Sequence, residues 1–298
     1  MELRQLRYFL EVARQEHVTR AAKDLHITQS TLSHQLRQLE DELGTLLFDR
    51  VGRQVQLTQA GRMFVGFASR ALRDIEDGRL ALQSLSGLQQ GELRVGVITT
   101  YTNSLLPQAI LDFTNKYPGI HLQIEDLPAT QIAERVLDGT LDLGLAFTMS
   151  ESAGLKTEPL FSERLVLLVG KDHPLANQKS VQGRNLSKLK IALQSKQYAS
   201  RQLIDRHLRR YVQDGVCMEL DSIQTMQLMV AKSDLVCILF EGAVLPLADL
   251  RAIPITTPKV MRTAALVWSR ERFHSAAAKE FALEIKKSVA QRGQPAVT

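Results

Sequence analysis

Apolar side chains recur at intervals of three or four residues over the first 90 positions, and the first proline is Pro107. Such spacing is typical of amphipathic helices. The first predicted helix carries the apolar residues Leu3, Leu6, Phe9, Leu10 and Ala13. Two more helical stretches fill residues 18–44 and are separated by a short break at residues 26–28. Together these two stretches predict a helix-turn-helix.

Local signals set the ends of the two stretches. We expect Thr19 to cap the first, and Thr28 or Gln29 to begin the second, because such side chains satisfy the free N–H groups at a helix start. Gly44 is expected to end the second stretch, since glycine adopts the left-handed conformation that commonly follows a helix.

A hairpin and a long helix follow. Residues 46–58 alternate apolar and polar positions on either side of a turn signal at residues 51–52, which predicts a two-stranded hairpin. A helical pattern then runs over residues 61–88. Its heptad row consists of Val65, Ala68, Leu72, Ile75, Arg79 and Leu82. This row favours a dimer seam that Arg79 interrupts. An amphipathic helix packed on its own chain is the alternative.

From Gly91 onward, strand-like and helix-like segments alternate, which predicts an α/β domain. The predicted strands are residues 93–98, 121–126, 141–147, 165–170, 190–193, 236–240 and 264–268. The predicted helices are residues 105–117, 131–137, 200–212, 223–231 and 276–290. The whole chain is therefore predicted to be an α+β multidomain protein.

Length and composition fit a globular protein of two domains. The 298 residues include 44% apolar and 23% charged positions, which is close to the average of soluble proteins. No apolar run approaches the roughly 18 residues of a membrane helix. Charges interrupt the first 17 residues, so we expect no secretory signal and a cytoplasmic location without membrane contact. Cys217 and Cys237 are not spaced as metal ligands, so no metal, cofactor or disulfide framework is expected.

The net charge of +5 does not locate a nucleic-acid-binding region. Residues 1–90 contain 12 basic and 11 acidic side chains, a difference of +1, and the remaining +4 is spread over residues 91–298. The second helix of the helix-turn-helix is more informative. The face opposite its leucine row carries the polar residues Gln29, Ser30, Thr31, Ser33, His34 and Arg37. Such groups can hydrogen-bond to base edges and phosphates in a major groove. A solvated surface face is the alternative.

The first 91 residues resemble the N-terminus of LysR-type transcriptional regulators. The resemblance rests on LRYFLEVARQEHVTRAAKDLHITQSTLSHQLRQLEDELGTLLFDR followed by LTQAG, in the family's order and spacing. One departure is Ser30, where the family often has proline. The resemblance implies a winged helix-turn-helix over residues 1–58, a dimerising linker helix over residues 59–90 and an effector-binding domain over residues 91–298.

The same resemblance implies roles and partners. It places Thr28, Gln29, Ser30, Thr31, Ser33, His34 and Arg37 on or at the start of the DNA-recognition helix, and Arg50 and Arg53 in the wing. The implied partners are double-stranded promoter DNA and further copies of the chain, as a homodimer or a dimer of dimers. RNA polymerase is a further candidate partner.

The resemblance extends over the whole chain and implies two α/β lobes similar to periplasmic binding proteins, with an effector cleft between them. Lobe one is expected at residues 91–160 and 267–298, and lobe two at residues 161–266. Strand ends and helix starts present free N–H groups, so a small anionic effector is expected there. The candidate cleft residues are Thr99, Thr100, Tyr101, Thr102, Phe147, Thr148, Gln194, Ser195, Tyr198, Ser222 and Ile223. For the hydroxyl residues, simple helix capping is the alternative role.

Two segments of the effector domain resemble one subgroup of the family, the regulators of cyanate utilisation. They are TTYT at residues 99–102 and the glycine-poor SDLVCILFEG at residues 233–242. In the second segment Glu241 replaces a common proline, which alters the expected geometry of that cleft edge.

An enzyme is the competing class of protein. The seven histidines form no HExxH motif, and the sequence contains neither GxSxG nor a phosphate-binding loop, so no catalytic residue is assigned. The alternative function is a small-molecule-binding protein or enzyme of the periplasmic-binding-protein-like fold, whose N-terminal helices serve only in oligomerisation. A free-standing transport protein is disfavoured, because a helix-turn-helix precedes the predicted sensor.

Overall fold

The structure, a computed structural model, describes residues 1–51, 54–84, 90–148 and 153–291. The chain forms two compact units, which divide between residues 85 and 86. Arg53 and Gly52 of the predicted wing turn, the end of the predicted linker helix and the last residues of predicted lobe one lie outside the described residues. The side chain of Arg50 is likewise not described.

The first unit is a winged helix-turn-helix followed by a long helix. Its elements are α1 (Leu3–Gln15), α2 (Val18–Asp24), α3 (Gln29–Leu43), β1 (Phe48–Val51), β2 (Gln54–Leu57) and α4 (Gln59–Ser84). Strands β1 and β2 pair antiparallel and form the wing. The core is centred on Phe9, whose ring lies 5.4 Å from Phe48 of the wing and 5.3 Å from Phe64 of α4. Wing and helices therefore share one apolar core.

Most of the local end signals act as the sequence predicts. Thr28 caps α3, because its side chain accepts a hydrogen bond from the Thr31 N–H at 3.1 Å. Gly44 ends the helix with φ of 68°. The prediction for Thr19 is wrong. Helix α2 begins at Val18, and its cap is His17, whose Nδ1 accepts from the Arg20 N–H at 3.4 Å, so Thr19 already lies inside the helix.

The predicted seam of α4 divides into two halves. Ala68 is 1% exposed, and Val65 and Leu72 pack beside it against the core of the first unit. Ile75 and Leu82 continue the row but are 49% and 70% exposed. The prediction of a dimer seam along the whole row is therefore wrong for its first half, which packs on its own chain. Within this row, only the second half has exposed apolar side chains, while Met63 and Phe67 are exposed beside the first half.

The second unit is an α/β structure. In order, its elements are β3 (Gly91–Val97), α5 (Thr99–Thr102), α6 (Leu106–Lys116), β4 (Ile120–Asp126), α7 (Ala129–Leu137), β5 (Leu143–Phe147), β6 (Leu155–Gly170), β7 (Val181–Gln182), β8 (Ile191–Leu193), α8 (Ala199–Val212), β9 (Val216–Glu219), α9 (Ile223–Val230), β10 (Val236–Phe240), β11 (Leu250–Thr257), β12 (Met261–Ser269) and α10 (Ala276–Gln291). Short 3-10 helices cover Gly183–Asn185 and Glu241–Ala243. In the described part of this unit, β7, β9 and β11 are additional to the predicted strands.

Two groups of strands define two lobes. In lobe one, β3 pairs parallel with β4 and β5, while β12 pairs antiparallel with β5 and with the first part of β6. In lobe two, the second part of β6 pairs antiparallel with β10 and β11, and β8 pairs parallel with β9 and β10. Each lobe has its own apolar core. The long strand β6 is thus shared by both lobes.

The crossovers lie at different residues from those predicted. Arg164 of β6 pairs with Met261 of β12 in lobe one, whereas Leu165 and Val260 already belong to the core of lobe two. The lobe boundaries therefore fall after residues 164 and 260, not after residues 160 and 266. The reason is that β6 and β12 remain paired through both predicted boundaries.

Candidate functional site

The exposed face of α3 is a candidate DNA interface. Gln29, Ser30, Thr31, His34 and Arg37 are exposed, and Ser33 is half-buried. The face carries local hydrogen bonds: the Gln29 amide donates to Ser33 Oγ at 3.1 Å, and the hydroxyl of Thr28 contacts those of Ser30 and Thr31. Leu32, Leu36 and Leu39 on the opposite face are buried, which fixes the rotation of the helix.

The wing is held at a defined position beside α3. The Glu40 carboxylate, on the last turns of α3, accepts from the N–H groups of Leu47 and Phe48 at 2.8 and 3.2 Å. Arg50 pairs with Val55 in the register of the hairpin. A helix with polar, exposed side chains next to an anchored hairpin is an arrangement that can contact bases and the DNA backbone together.

The second unit contains a cleft between its lobes. From lobe one it is lined by Ile98, Thr99, Thr100, Leu127, Pro128, Ala129 and Phe147, with Arg262 from the start of β12. From lobe two it is lined by Gln194, Tyr198, Ala199, Ser200 and Ile223. The cavity in this cleft has a volume of about 30 Å³, counted as the space open to the centre of a water molecule. One water needs roughly 10–15 Å³ on this measure, so the cavity suits a molecule of few non-hydrogen atoms.

Six predicted effector residues line this cleft, namely Thr99, Thr100, Phe147, Gln194, Tyr198 and Ile223. The other five do not, and their side chains have different surroundings. Tyr101 is fully buried in the core of lobe one. The hydroxyl of Thr102 donates to the Ile98 carbonyl at 3.5 Å, and that of Thr148 donates to the Thr263 carbonyl at 3.0 Å.

The remaining two predicted residues belong to lobe two. Ser222 caps α9 by accepting from the Thr225 N–H at 3.2 Å, which is the capping alternative considered for such hydroxyls. The Ser195 hydroxyl is buried without a hydrogen-bond partner in the described structure. It lies next to the cleft residue Gln194 in the chain but does not contribute to the cleft lining.

Seven residues of the cleft lining lie outside the predicted set, and Arg262 is the charged residue among them. Its side chain is 3% exposed, and Nε donates to Glu163 Oε1 at 2.5 Å. Nη2 donates to the Thr100 hydroxyl at 3.2 Å. The guanidinium also lies over the Phe240 ring, 3.9 Å from its centroid. The cleft is therefore lined by a buried cation that is held in place on several sides.

Two further groups shape the electrostatics of the cleft. The Thr99 hydroxyl donates to Asp126 Oδ1 at 2.7 Å, and partial desolvation raises the pKa of this carboxyl above its ordinary value. Burial raises the pKa of Tyr198, and the negative charges of Asp221 and Asp126 act in the same direction. Tyr198 is therefore a neutral hydroxyl at physiological pH.

Two helix starts face the cleft through residues of its lining. Pro128 and Ala129 begin α7, and Tyr198 and Ala199 begin α8. Neither helix has a side-chain cap hydrogen bond at its N-terminus. Within the described ranges, no group of three or more His, Cys, Asp and Glu side chains is placed to hold a metal ion. None of the described helices combines the length and apolarity needed to cross a membrane.

Comparison with known families matches both units. Residues 3–62 match the family described as bacterial regulatory helix-turn-helix protein, lysR family. Residues 86–290 match the family described as LysR substrate binding domain. The two matches together span most of the chain.

Among similar proteins is the uncharacterized HTH-type transcriptional regulator YybE of Bacillus subtilis (strain 168), 32% identical over 94% of this chain and 97% of the relative. The hydrogen peroxide-inducible genes activator of Dickeya chrysanthemi is 31% identical over 90% of this chain and 89% of the relative. The structure of a full-length OxyR variant from Pseudomonas aeruginosa has a TM-score of 0.75 at 27% identity and covers 99% of this chain and 98% of that one. Full-length CbnR complexed with its target DNA has a TM-score of 0.68 at 21% identity, with 97% and 100% coverage, and supports the fold.

Proposed function

Because the chain belongs to the LysR family of bacterial DNA-binding transcriptional regulators, we propose that a small anion bound between its two lobes controls its binding to promoter DNA. The observation that carries the proposal is Arg262, a buried guanidinium in the lining of the cleft. Glu163 offsets the charge of Arg262, but the guanidinium has further N–H donors that can bind an anion in the cleft, where little water is present to screen the attraction.

The helix starts in the cleft support the same ligand charge. The first N–H groups of α7 and α8 have no side-chain cap. Free N–H groups and the helix dipole together favour an anion at a helix N-terminus. The hydroxyls of Thr99, Thr100 and Ser200 add hydrogen-bonding groups around the same space.

The size of the cavity supports a small effector. About 30 Å³ of usable space suits an anion of a few non-hydrogen atoms, without movement of the lobes. Cyanate has this size and charge, and the TTYT segment that resembles the cyanate-utilisation regulators supplies Thr99 and Thr100 to the lining. We therefore propose cyanate as the first candidate to test.

DNA reading is assigned to α3 and the wing. We propose that Gln29, Ser33 and their exposed neighbours contact base edges, and that Arg37, Arg50 and Arg53 contact phosphates. An effector acts by population shift, so the anion changes DNA binding only to the extent that it prefers one arrangement of the protein. A cytoplasmic location belongs to the same proposal, because promoter DNA lies in the bacterial cytoplasm.

Assembly is proposed from the uncovered part of α4. Ile75 and Leu82 offer an apolar row for a second copy, and a two-fold symmetric dimer suits a DNA site with two half-sites. We further propose that two such dimers associate into a dimer of dimers. RNA polymerase is retained as a candidate partner on the ground of family membership alone.

The test combines a ligand screen with a DNA assay. The melting temperature of the full chain is measured with cyanate, formate, nitrate and acetate as potassium salts, against potassium chloride at equal ionic strength. A ligand of the folded state raises the melting temperature. The same anions are then added to footprints of the protein on its own upstream DNA. The proposal is wrong if no anion raises the melting temperature or alters the footprint.

Thr100→Val is the matched variant within the cleft. It keeps the shape of the side chain but removes a hydroxyl of the cleft lining, which can donate a hydrogen bond to an anion bound at Arg262. We expect this variant to bind DNA and to lose the response to the anion. Ser195→Ala is the control from the same set of predicted residues, because Ser195 lies outside the cleft lining.

A further inference from the structure

Glu163 and Arg262 form a buried ion pair at the boundary between the lobes. They are direct partners in the pairing of β6 with β12, and Glu163 lies two residues before Leu165, the first residue of β6 in lobe two. Their side chains are 1% and 3% exposed. A charge pair in such a position is costly to bury unless further hydrogen bonds satisfy both partners.

The Glu163 carboxylate connects both lobes. Oε1 accepts from the Tyr101 hydroxyl of lobe one at 2.6 Å and from Arg262. Oε2 accepts from the Gly242 N–H of lobe two at 2.8 Å. Burial raises the pKa of Tyr101, so its hydroxyl remains a donor throughout the physiological range. One carboxylate therefore holds a residue from each lobe and the cation that lines the cleft.

Arg262 has a second side that belongs to the cleft. While Nε is engaged by Glu163, Nη2 reaches the hydroxyl of Thr100, a neutral acceptor in the cleft lining. An anion is a stronger acceptor for a guanidinium than a neutral hydroxyl is. A bound anion would therefore replace the weaker of the two partners and compete with Glu163 for the same positive charge.

We infer that Arg262 is the residue that recognises the charge of the effector, and that Glu163 is the positioning residue through which occupancy of the cleft reaches both lobes. This inference rests on the proposed anionic effector. When the anion binds Arg262, the attraction between Arg262 and Glu163 weakens. The geometry of the hydrogen bonds from Tyr101 and Gly242 to Glu163 then changes. By linkage, a lobe arrangement that favours the separated pair also favours the anion.

The test uses the full chain and the anion among cyanate, formate, nitrate and acetate that most raises the melting temperature of the wild type. Anion affinity is measured by calorimetry, and promoter affinity by fluorescence anisotropy with and without the anion. The variants are Arg262→Gln, Arg262→Lys and Glu163→Gln. The matched control is Arg164→Gln, on the next residue of β6, which removes an exposed ion pair with Glu241.

The expected results separate recognition from a purely structural role. Arg262→Gln lowers anion affinity by at least about tenfold, and Arg262→Lys restores part of it because the charge is kept. Glu163→Gln raises anion affinity by about tenfold, since the competing charge is gone, and abolishes the effect of the anion on promoter binding. Arg164→Gln changes neither quantity by more than about twofold. A purely structural pair would instead give weaker anion binding in Glu163→Gln.

Tyr101→Phe covers the case in which Glu163→Gln does not fold. It removes only the hydroxyl that donates to Glu163, at a residue outside the cleft lining. It should keep anion affinity and reduce the response of promoter binding. Wild-type anion binding that survives in Arg262→Gln, or an unchanged response in both Glu163→Gln and Tyr101→Phe, overturns this inference and leaves the anionic effector intact. Failure of every anion to bind the wild type overturns both.

Discussion

The backbone N–H of Gly242 donates a 2.8 Å hydrogen bond to Glu163 Oε2, and a methyl group at residue 242 would lie 2.5 Å from that same oxygen. The contact leaves no room for a side chain. The Glu163 carboxylate cannot easily move away, because Arg262 and Tyr101 both donate hydrogen bonds to its other oxygen, Oε1. Glycine is therefore required at this position by close approach.

Gly242→Ala is expected to destabilise the second unit by about 1–3 kcal/mol, because overpacking forces a buried, bonded group to move. Unfolding in urea can be followed by the fluorescence of Trp268, the single tryptophan of the chain, which is buried in β12. The control is Glu241→Gln, which removes only the exposed pair with Arg164 and should cost less than about 1 kcal/mol. Equal midpoints for Gly242→Ala and wild type would contradict the prediction.

Helix α3, the proposed recognition helix, gives a second prediction. Gln29→Ala and Ser33→Ala should each reduce the preference for promoter over random DNA by about tenfold, because a base contact is worth roughly 1–3 kcal/mol. Their side chains also bond to each other, so the double variant should lose less than the sum of the single losses. Anisotropy titrations with promoter and random duplexes measure these preferences.

Arg50→Ala in the wing is the contrasting variant. We expect it to weaken binding to both duplexes alike and to lower the slope of log affinity against log salt by about one, since a phosphate contact carries no sequence information. If Gln29→Ala and Ser33→Ala also weaken both duplexes equally, the assignment of base contacts to α3 is wrong.

A third prediction concerns assembly through α4. Leu82→Glu places a charge in the exposed part of the apolar row and should convert the proposed dimer to monomers at micromolar concentration. The control is Leu228→Glu on α9, another exposed leucine outside α4, which should leave the dimer intact. Light scattering after size exclusion gives the mass of each variant. A dimeric Leu82→Glu protein would show that the seam lies elsewhere.

The cysteines give a fourth prediction, prompted by the peroxide-inducible relatives. Cys237 is fully buried, and burial raises the pKa of its thiol to about 12, so it is not a thiolate at neutral pH. Cys217 is exposed on β9, with its thiol 3.6 Å from the Ile191 carbonyl. Only thiolates react readily with peroxide and disulfide reagents.

In the native protein, the exposed thiol of Cys217 should therefore react with a chromogenic disulfide reagent at pH 8, and the buried thiol of Cys237 only after unfolding. We expect peroxide to leave promoter affinity unchanged, both in the wild type and in Cys217→Ser. Two fast-reacting thiols, or a promoter response to peroxide that Cys217→Ser abolishes, would support thiol-based sensing instead.

The predictable parts of the fold are those that local chemistry decides. Thr28 and Gly44 bound α3 because a hydroxyl cap and a left-handed glycine need only their own neighbours. His17 was missed as a cap because an imidazole is an uncommon one. Strand β11 was missed because it contains Pro254, which normally argues against a strand, although Pro254 pairs with Val166.

The cleft residues likewise divide into those that the sequence can predict and those that it cannot. Thr100, Gln194 and Tyr198 could be predicted, because loops after strands and before helices gather at a cleft in α/β folds. Arg262 could not, since an arginine at the start of a strand normally lies at the surface. Its role depends on Glu163, 99 residues earlier in the chain, and a single sequence does not show that the two meet. The one available signal was Arg262 itself, the single charged residue of β12, in a strand that is otherwise largely apolar.

The last prediction concerns Asp126, whose carboxylate accepts from the cleft residue Thr99. Partial desolvation raises the pKa of Asp126, so the carboxyl becomes neutral at a higher pH than an ordinary aspartate. At neutral pH its negative charge opposes an anion in the cleft. Acidification removes this charge, so the affinity for nitrate, which stays ionised, should increase as the pH falls through the raised pKa.

Asp126→Asn should bind nitrate about twofold to tenfold more tightly than wild type at pH 7.5 and should lose most of the pH dependence. The effect of pH on folding stability has the same sign as its effect on nitrate affinity. A raised carboxyl pKa gives stability that is present at low pH and lost as the pH rises through the folded value, so Asp126→Asn gains stability relative to wild type at neutral pH. Asp112→Asn on α6, outside the cleft lining, is the control. Calorimetric titrations from pH 7.5 down to the lowest pH at which the protein stays folded test this prediction, because parallel pH profiles for wild type and Asp126→Asn would show that this carboxylate does not act on the ligand.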